Sequence, residues 1–214
     1  MLAVLAICGV ASAKDTASID AISPLTPPCD PARAYCFAVQ LHVAQTADGL
    51  VVPPAWIANQ LAIANQHFAP LDVGFQIAGV QVAPPGTEHV RTRAQRNALG
   101  SAVTGRVIHV FVTAQLENVD QSTTPVFGVA WRVKQRKIII LSAKSWDRTL
   151  AHELGHVFGL PHSTYPISIM NKTPREEPAR ETRTFADEEV AAMGPGMKRL
   201  LRSKVIENLA RRRD

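Results

Sequence analysis

The sequence predicts a layered α+β domain, with a mixed α/β arrangement as the alternative, and two observations support this class. The first is the order of the elements that its apolar residues predict: strand, helix, strand, short helix and three strands, followed by a helical segment rich in histidine. The second is that residues 106–114 and 137–143 are continuous apolar runs, which is typical of strands buried on both faces.

The spacing of apolar residues predicts the individual strands and helices. Residues 35–44 alternate between apolar and polar positions, as in a strand, and residues 54–68 repeat at helical spacing after a proline pair. Further strands are predicted at 72–83 and 126–133, and a short polar helix at 91–102. His109 lies within an apolar strand, so we expect a hydrogen-bonded core residue there.

The composition is that of a globular protein with a substantial core. Of the 214 residues, 46% are hydrophobic and 19% are charged. This length fits one ordinary domain with at most a small appendage. The formal net charge of +5 is too small to predict nucleic-acid binding by itself.

The first residues predict a secretory signal peptide. Residues 1–13 form an apolar run that ends in small residues at Ala11 and Ala13, as at a cleavage site, and the run is too short to span a membrane. No Lys or Arg precedes it, so a buried N-terminal strand and a lipoprotein anchor at Cys8 are alternatives. A cleaved chain would be secreted, periplasmic or extracellular.

Two cysteines, Cys29 and Cys36, follow the predicted cleavage site. In an oxidising compartment two cysteines suggest one disulfide. Its short loop would contribute on the order of 2–3 kcal/mol. The bond would fix the irregular lead-in at residues 14–34 to the first strand.

Residues 151–163, AHELGHVFGLPHS, carry three histidines at the spacing of a metal site. Ser145 is expected to cap a helix over about residues 146–158. On that helix His152 and His156 lie one turn apart on the same face, close enough to bind one small cation.

The chain can then turn back towards this histidine pair. Gly159 can adopt the left-handed conformation that ends a helix, so that His162 returns as a third ligand. Three neutral histidines leave the fourth position of a tetrahedral zinc open for water. Glu153 is rotated roughly 100° from His152, where it can accept a proton as that water attacks a carbonyl. The arrangement is matched to hydrolysis of peptide bonds.

The segment HELGHVFGLPH resembles the signature of the metzincin zinc peptidases, HExxHxxGxxH followed by a methionine-containing turn. The resemblance implies one catalytic zinc ion on His152, His156 and His162, with Glu153 as general base. Met170, in the segment PISIMNK, would pack beneath the metal and support the ligands. The family fold is a mixed, twisted five-stranded sheet with an antiparallel edge strand, an active-site helix and C-terminal helices.

In this family the edge strand binds an extended protein or peptide substrate by β-addition. The residues at that position here are Val126, Phe127, Gly128, Val129, Ala130 and Trp131. Gly128 marks a bulge or a close approach of two backbones. Trp131 can line the cleft or simply pack.

Ser163 and the segment FADEEVAAM, with Thr184 and Asp187 as a capping pair, resemble the matrixins in particular, and a pappalysin-like affiliation is the alternative. The matrixin loop that binds structural zinc and calcium has no counterpart, so neither ion is expected. The segment PPCDP is faintly similar to the propeptide segment that blocks the zinc in some matrixins. A latency switch at Cys29 is therefore the alternative to the disulfide.

The resemblance ends at residues 194–196, Gly-Pro-Gly, and residues 197–210 predict a last helix with a basic tail. The tail is either a solvated helix face or a contact for acidic surfaces. The expected organisation is a signal peptide at 1–13, a lead-in at 14–34, a catalytic domain at 35–194 and a basic helix or tail at 195–214.

These observations predict a secreted zinc-dependent endopeptidase that acts on extended protein or peptide substrates, without nucleic acid as a partner. The alternatives are a highly specific processing protease and a zinc-containing surface-association module with negligible hydrolysis. The substrate cannot be read from the spacing of residues.

Overall fold

The computed structural model describes residues 18–120 and 125–212, and the predicted signal peptide at residues 1–13 lies outside them. The strands of the main sheet are β1 (Tyr35–Val43), β2 (Val73–Val82), β3 (Ile108–Thr113), β4 (Gly128–Val133) and β5 (Arg136–Ser142). The helices are α1 (Pro54–Phe68), α2 (Arg93–Ala102), α3 (Thr149–Val157) and α4 (Asp187–Arg202). The predicted α+β class is confirmed.

The strands form one mixed sheet in the order β2-β1-β3-β5-β4. The neighbours from β2 to β5 pair in parallel, and β4 pairs antiparallel with β5 at the edge of the sheet. The mixed five-stranded sheet with an antiparallel edge strand is therefore confirmed. One side of β4 has no strand partner in the described sheet.

The sheet separates two layers of packing because successive side chains of a strand point to opposite faces. On one face Leu41, Val110 and Leu141 lie in the main core with α1 and α3. On the other face Phe111 and Ile140 form a smaller cluster with α2. The histidine-bearing helix α3 thus packs on the larger core.

Four buried phenylalanines anchor the C-terminal end of α3 to this core. The ring centroid of Phe158, one residue after the helix, lies 5.7 Å from that of Phe37 and 5.4 Å from that of Phe68. Phe75 packs edge-on against Phe68 at 5.0 Å. Such aromatic contacts restrain the turn that follows α3, since their geometry is specific.

Helix α4 runs without interruption through residues 194–196 to Arg202. Gly194 has no Cβ to collide with the ring of Pro195, which removes one of the clashes that a proline makes inside a helix. Met193 and Met197 are both buried and hold the two halves on one core. The predicted domain boundary at 194–195 lies within a helix, and a helix over 197–210 is not formed.

After α4 the chain returns to the start of β1. Asn208 accepts a hydrogen bond from the backbone N–H of Cys36 (2.8 Å) and donates one to the carbonyl of Ala34 (2.9 Å). A short 3-10 helix, Leu209–Arg212, follows. Within the described ranges, no helix combines the length and the apolar character needed to cross a bilayer.

A buried histidine pair lies on the α2 face, as expected for His109. Gln81 Nε2 donates to His42 Nδ1 (2.7 Å), His42 Nε2 donates to His109 Nδ1 (3.0 Å), and His109 Nε2 donates to the carbonyl of Thr104 (2.8 Å). In each ring one nitrogen donates a hydrogen bond and the other accepts one, so both rings are neutral. The pair lines an open cavity of about 810 Å³.

The contact between α4 and the end of α3 predicts the effect of Gly196→Ala. A Cβ at Gly196 would lie 1.7 Å from the carbonyl oxygen of Phe158, which is backbone and cannot move away. The variant should lose at least about 2 kcal/mol of unfolding free energy in urea titrations. Lys198→Ala, an exposed change in the same helix, should stay within about 0.5 kcal/mol. Equal stability of the two variants would contradict the close approach.

The histidine pair predicts loss of stability in acid. Burial lowers the pKa of His42 and of His109 to about 4, below the unfolded value of 6.5. Their stabilising effect is therefore complete above pH 6.5 and lost as the pH falls from 6.5 to 4, by at most about 1.4 kcal/mol per pH unit for each ring. A His42→Gln/His109→Gln double variant should show a shallower fall in urea titrations over that range. A slope equal to that of the unsubstituted protein would contradict the prediction.

Candidate metal centre

Helix α3 begins at Thr149 rather than near residue 146, and the cap expected from Ser145 is wrong. The Ser145 hydroxyl donates instead to a backbone carbonyl of the segment before β4. Gln60 of α1 accepts a hydrogen bond from the N–H of Leu150 (3.0 Å) and donates one to the carbonyl of Trp146 (2.6 Å). The neighbouring helix thus supplies the cap that satisfies a free N–H at this helix start.

Gly159 ends α3 as the sequence predicts. Its φ of 108° is accessible to glycine and strained for other residues. The N–H of Leu160 donates to the carbonyl of Gly155 (2.9 Å), which is the long hydrogen bond of a Schellman turn. This turn reverses the chain and carries His162 back to the helix.

The three predicted ligands lie together. One ring nitrogen from each of His152, His156 and His162 can be chosen so that all three atoms lie within 4.8 Å of one another. Nε2 of His156 is 3.2 Å from Nε2 of His162. The ring centroids are 4.8, 5.4 and 4.6 Å apart. The imidazoles therefore converge on a volume the size of a single ion.

Two backbone carbonyls fix the tautomers of the helical histidines. Nδ1 of His152 donates to the carbonyl of Ile169 (2.8 Å), and Nδ1 of His156 donates to the carbonyl of Leu160 (2.7 Å). A neutral ring that carries its proton on Nδ1 presents a lone pair on Nε2. Burial lowers the pKa of His152 to about 4 and also lowers that of His156, so both rings are neutral near pH 7.

Glu153 is buried beside the histidines, with 4% of its surface exposed. One carboxylate oxygen, Oε2, has no hydrogen-bond partner, and the backbone N–H of Ala130 in β4 hydrogen-bonds to the side chain. Burial raises the pKa of this carboxyl to about 8, against the opposing effects of that hydrogen bond and of Lys137. An unpartnered buried oxygen is a group prepared for a ligand or a water molecule.

Met170 is fully buried against α3. A Cβ placed on Gly155 would lie 2.9 Å from Met170 Sδ and 3.1 Å from the ring of Phe185. Glycine at 155 therefore provides the space that the methionine fills, one residue before the second histidine. Gly155 could not be identified from the sequence, since helix spacing does not reveal what packs on a helix.

The turn that carries Met170 is held by α4. Ser168 donates to the carboxylate of Glu189 (2.7 Å to Oε2) and accepts a hydrogen bond from the N–H of Met170 (2.8 Å). Glu189 also accepts from the N–H of Ala186 (2.9 Å), so the capping pair expected from Thr184 and Asp187 is wrong. The same carboxylate starts α4 and fixes the turn.

The edge strand passes directly over Glu153. It begins at Gly128, two residues after the predicted start, so Val126 and Phe127 precede it. A Cβ on Gly128 would lie 2.6 Å from Cγ2 of Thr149 and 2.8 Å from Oε1 of Glu153. Gly128 therefore packs against two side chains, and the bulge or close approach of two backbones that was expected there is wrong. Val129, Ala130 and Trp131 lie within the strand, and Trp131 packs against α2, where it donates to Asn97 (2.8 Å).

Cys29 and Cys36 are joined by a disulfide. Both residues are buried at the start of β1. A sulfur atom in a disulfide cannot bind a metal as a thiolate. The structure therefore has the disulfide, and Cys29 is not a latency switch in it.

The donor set suits zinc. Zn²⁺ favours imidazole nitrogen, and three protein ligands leave the open position that distinguishes catalytic from structural sites. The lone pairs on Nε2 of His152 and His156 face the same volume, and the two Nδ1–H groups are already hydrogen-bonded to carbonyls, the usual outer partners of zinc-binding histidines.

Comparison with known proteins shows which family part of this chain resembles. Residues 113–193 match the family model described as Matrixin. The match runs from the end of β3 into α4 and includes the three histidines, Glu153 and Met170. It ends one residue before the expected end of the family-like region. No curated protein matches the chain.

Two solved structures are similar to this chain. A chain from a structure described as a chaperone-substrate complex aligns with a TM-score of 0.54 and 14% identity, over 78% of this chain and 38% of that chain. A zinc-dependent peptidase from Methanocorpusculum labreanum (strain Z) aligns with a TM-score of 0.45 and 15% identity, over 73% of this chain and 99% of that chain. The first alignment shows a shared fold. This chain spans 38% of the length of the other chain.

The Matrixin match, which covers less than half of the chain, agrees with the signature on α3 and with the turn that carries Met170. It favours the matrixin-like affiliation over the pappalysin-like one and indicates a zinc metallopeptidase. Over residues 113–193, the chain is similar to the matrixins.

Proposed function

We propose that the protein is a secreted endopeptidase in which His152, His156 and His162 hold zinc and Glu153 acts as general base. The observation that carries the proposal is the buried, unpartnered Oε2 of Glu153 beside three converging imidazoles. A structural zinc site has four protein ligands and no need of such a carboxylate. Met170 is proposed to support the ligands by packing on α3.

Zinc held by the three histidines would supply Lewis acidity, acidify a water molecule to a pKa near 7 and favour the ionised form of a neighbouring carboxyl. Glu153 accepts a proton from the attacking water and delivers it to the leaving amine. The N–H of Ala130 holds one end of the carboxylate, so the other oxygen is free for this proton transfer. General-base catalysis of this kind contributes typically about 10²- to 10⁴-fold.

The free side of β4 is proposed to bind the substrate. An unpaired edge strand offers backbone donors and acceptors to an extended peptide. Because Gly128 lies against Glu153, a peptide paired along β4 would place its backbone close to the base and the histidines. Backbone pairing does not depend on the side chains of the substrate, so any preference for particular residues comes from other parts of the cleft.

Secretion is supported by the disulfide between Cys29 and Cys36 and by the apolar run at residues 1–13. Disulfides persist mainly outside the cytosol. The C-terminal basic residues support a second candidate, a zinc-containing module that binds acidic surfaces without hydrolysis. The buried Glu153 favours the enzyme, because surface binding does not require it.

The ligand set predicts the metal content. The protein should bind about one zinc per chain, and zinc should raise its unfolding temperature by mass action. Each of His152→Ala, His156→Ala and His162→Ala should lose zinc during dialysis, as measured by elemental analysis, since two ligands bind less tightly than three. His89→Ala is the control and should retain zinc, because His89 pairs with Glu117 and lies far from the triad in the sequence. Full zinc content in a triad variant would contradict the assignment.

The role of Glu153 predicts that Glu153→Gln keeps zinc and the fold but loses at least about 100-fold in hydrolysis. Glutamine has the same shape and can accept the Ala130 hydrogen bond, but it cannot take a proton. Cleavage of a peptide library is read by mass spectrometry, with chelated protein as the blank. An active Glu153→Gln variant would refute the mechanism, and zinc binding without cleavage by the unsubstituted protein would favour the binding module.

The packing over Glu153 predicts that Gly128→Ala lowers hydrolysis at least about tenfold with zinc retained, because the new methyl group displaces the carboxylate. Part of the clash is with Cγ2 of Thr149. Thr149→Ser removes that atom, so the Gly128→Ala/Thr149→Ser double variant should recover part of the activity. The measurement is kcat/KM for each of the three variants. Full activity in Gly128→Ala would contradict the close packing.

A further inference from the structure

A cavity of about 810 Å³ lies between the sheet and α2, on the face of the sheet that does not carry α3. Its walls are formed by β1, β2, β3, α2 and the chain segments on either side of α2. Pockets for small molecules typically occupy about 300–1,000 Å³, so the volume is sufficient for one. The proposed hydrolysis of peptides does not involve this part of the molecule.

Side chains of the sheet form a floor with one fixed arrangement. The ring of His42 stacks on that of Phe111, with the centroids 4.2 Å apart and the planes inclined by 12°. Hydrogen bonds join Gln81, His42, His109 and the carbonyl of Thr104 in a single chain, so neither imidazole can turn without breaking it. The floor is therefore formed before any ligand binds, as is usual for small-molecule sites.

This floor interrupts an otherwise apolar face of the sheet. On β5 the same face carries Ile138 and Ile140, which are fully buried. On β1 and β2, where the cavity lies, it carries Gln40, His42 and Gln81 instead. A buried polar side chain such as His42 costs stability relative to an apolar one, so packing alone does not explain the choice. Departures of this kind from the pattern of a core are expected at functional sites.

The described residues that line the cavity include no Lys, Arg, Asp or Glu. Arg136 and Glu88 do not line it, although the charge of Arg136 lowers the pKa of His109. Arg106, in the loop between α2 and β3, pairs with Glu207 (3.4 Å). The two imidazoles of the floor are neutral, as their hydrogen bonds require. A charged ligand would thus lose hydration without gaining an opposite charge.

Two amide side chains can hydrogen-bond to a ligand. Gln81 uses Nε2 to donate to His42, and its Oε1 has no hydrogen-bond partner among the described residues. Gln40 lies on the same face, and its Nε2 makes a long hydrogen bond of 3.4 Å to the carbonyl of Leu41. The two amide oxygens can accept from a hydroxyl or an N–H group. Apolar side chains form much of the remaining wall, among them Val90, Leu99, Val103, Val107 and Phe111.

We propose that this cavity binds an uncharged small molecule that has an apolar body and at least one hydroxyl or N–H group. The apolar body would lie against Leu99, Val103 and Phe111, and the polar group would donate to the oxygen of Gln40 or Gln81. The site lies on the other face of the sheet from α3, so its occupation does not require zinc. It is therefore independent of the proposed peptidase function.

Two dyes with the same aromatic skeleton test the proposal by fluorescence titration. N-phenylnaphthylamine is uncharged and carries one N–H group, and anilinonaphthalenesulfonate adds a sulfonate to that skeleton. The uncharged dye should bind saturably at about one per chain, with the sulfonate at least about tenfold weaker because the cavity offers it no cation. Binding should be the same with and without zinc. No saturable binding of the uncharged dye, or equal affinity for both dyes, would overturn the proposal.

Substitutions on α2 and on the floor locate the binding. Ala98→Trp fills the cavity from the helix and should weaken binding of the uncharged dye at least about tenfold. Ala94→Trp is the control and should leave the affinity unchanged, because Ala94 is exposed on the same helix and does not line the cavity. The Gln40→Leu/Gln81→Leu double variant should lose roughly threefold to tenfold, the effect of one hydrogen bond. Equal affinity in the two tryptophan variants would contradict the location.

Spectra of the protein labelled at histidine nitrogen show where the dye lies without relying on a variant. The uncharged dye should shift the ring signals of His42 and His109, which line the cavity, and leave those of His152, His156 and His162 in place. Shifts confined to the triad would place the dye at the metal centre and overturn the proposal.

Discussion

Two hydrogen bonds from imidazole Nδ1 to backbone carbonyls orient two of the three rings of the histidine cluster. They give His152 and His156 a fixed tautomer, with the Nε2 lone pairs directed at a common volume. Each acceptor belongs to a turn. Ile169 precedes Met170, and Leu160 follows the glycine that ends α3. Both turns must therefore be correctly placed before the helix presents ligands, so the rest of the structure serves their placement.

Packing holds each turn against α3. Gly155 leaves room for Met170, while Glu189 of α4 fixes the methionine turn through the Ser168 hydroxyl. The other turn is bounded by Gly196 of α4, which approaches the carbonyl of Phe158. A single helix thus restrains both turns. A break of α4 at the proline would separate the two restraints.

The sequence was most informative where the chemistry depends on local spacing. His152 and His156 are one helical turn apart, Gly159 ends that helix, and His162 follows at a fixed distance, so their meeting could be predicted. The cap from Gln60 could not be predicted, since it joins residues of two helices far apart in sequence. The same holds for Gly155, whose partner is a side chain in a later turn. The boundary expected at residues 194–195 failed because α4 continues through Pro195, with Met193 and Met197 buried in one core.

The fold alone sets the tautomers of His152 and His156, before any metal binds. Long-range ¹H–¹⁵N correlation spectra of the zinc-free protein, labelled at histidine nitrogen, test it directly near pH 7. We expect both rings to carry their proton on Nδ1 and to show an unprotonated Nε2, with the same Nδ1 protonation after zinc is added. A proton on Nε2 of either ring in the zinc-free protein would contradict it, because the two turns would then not prepare the ligands.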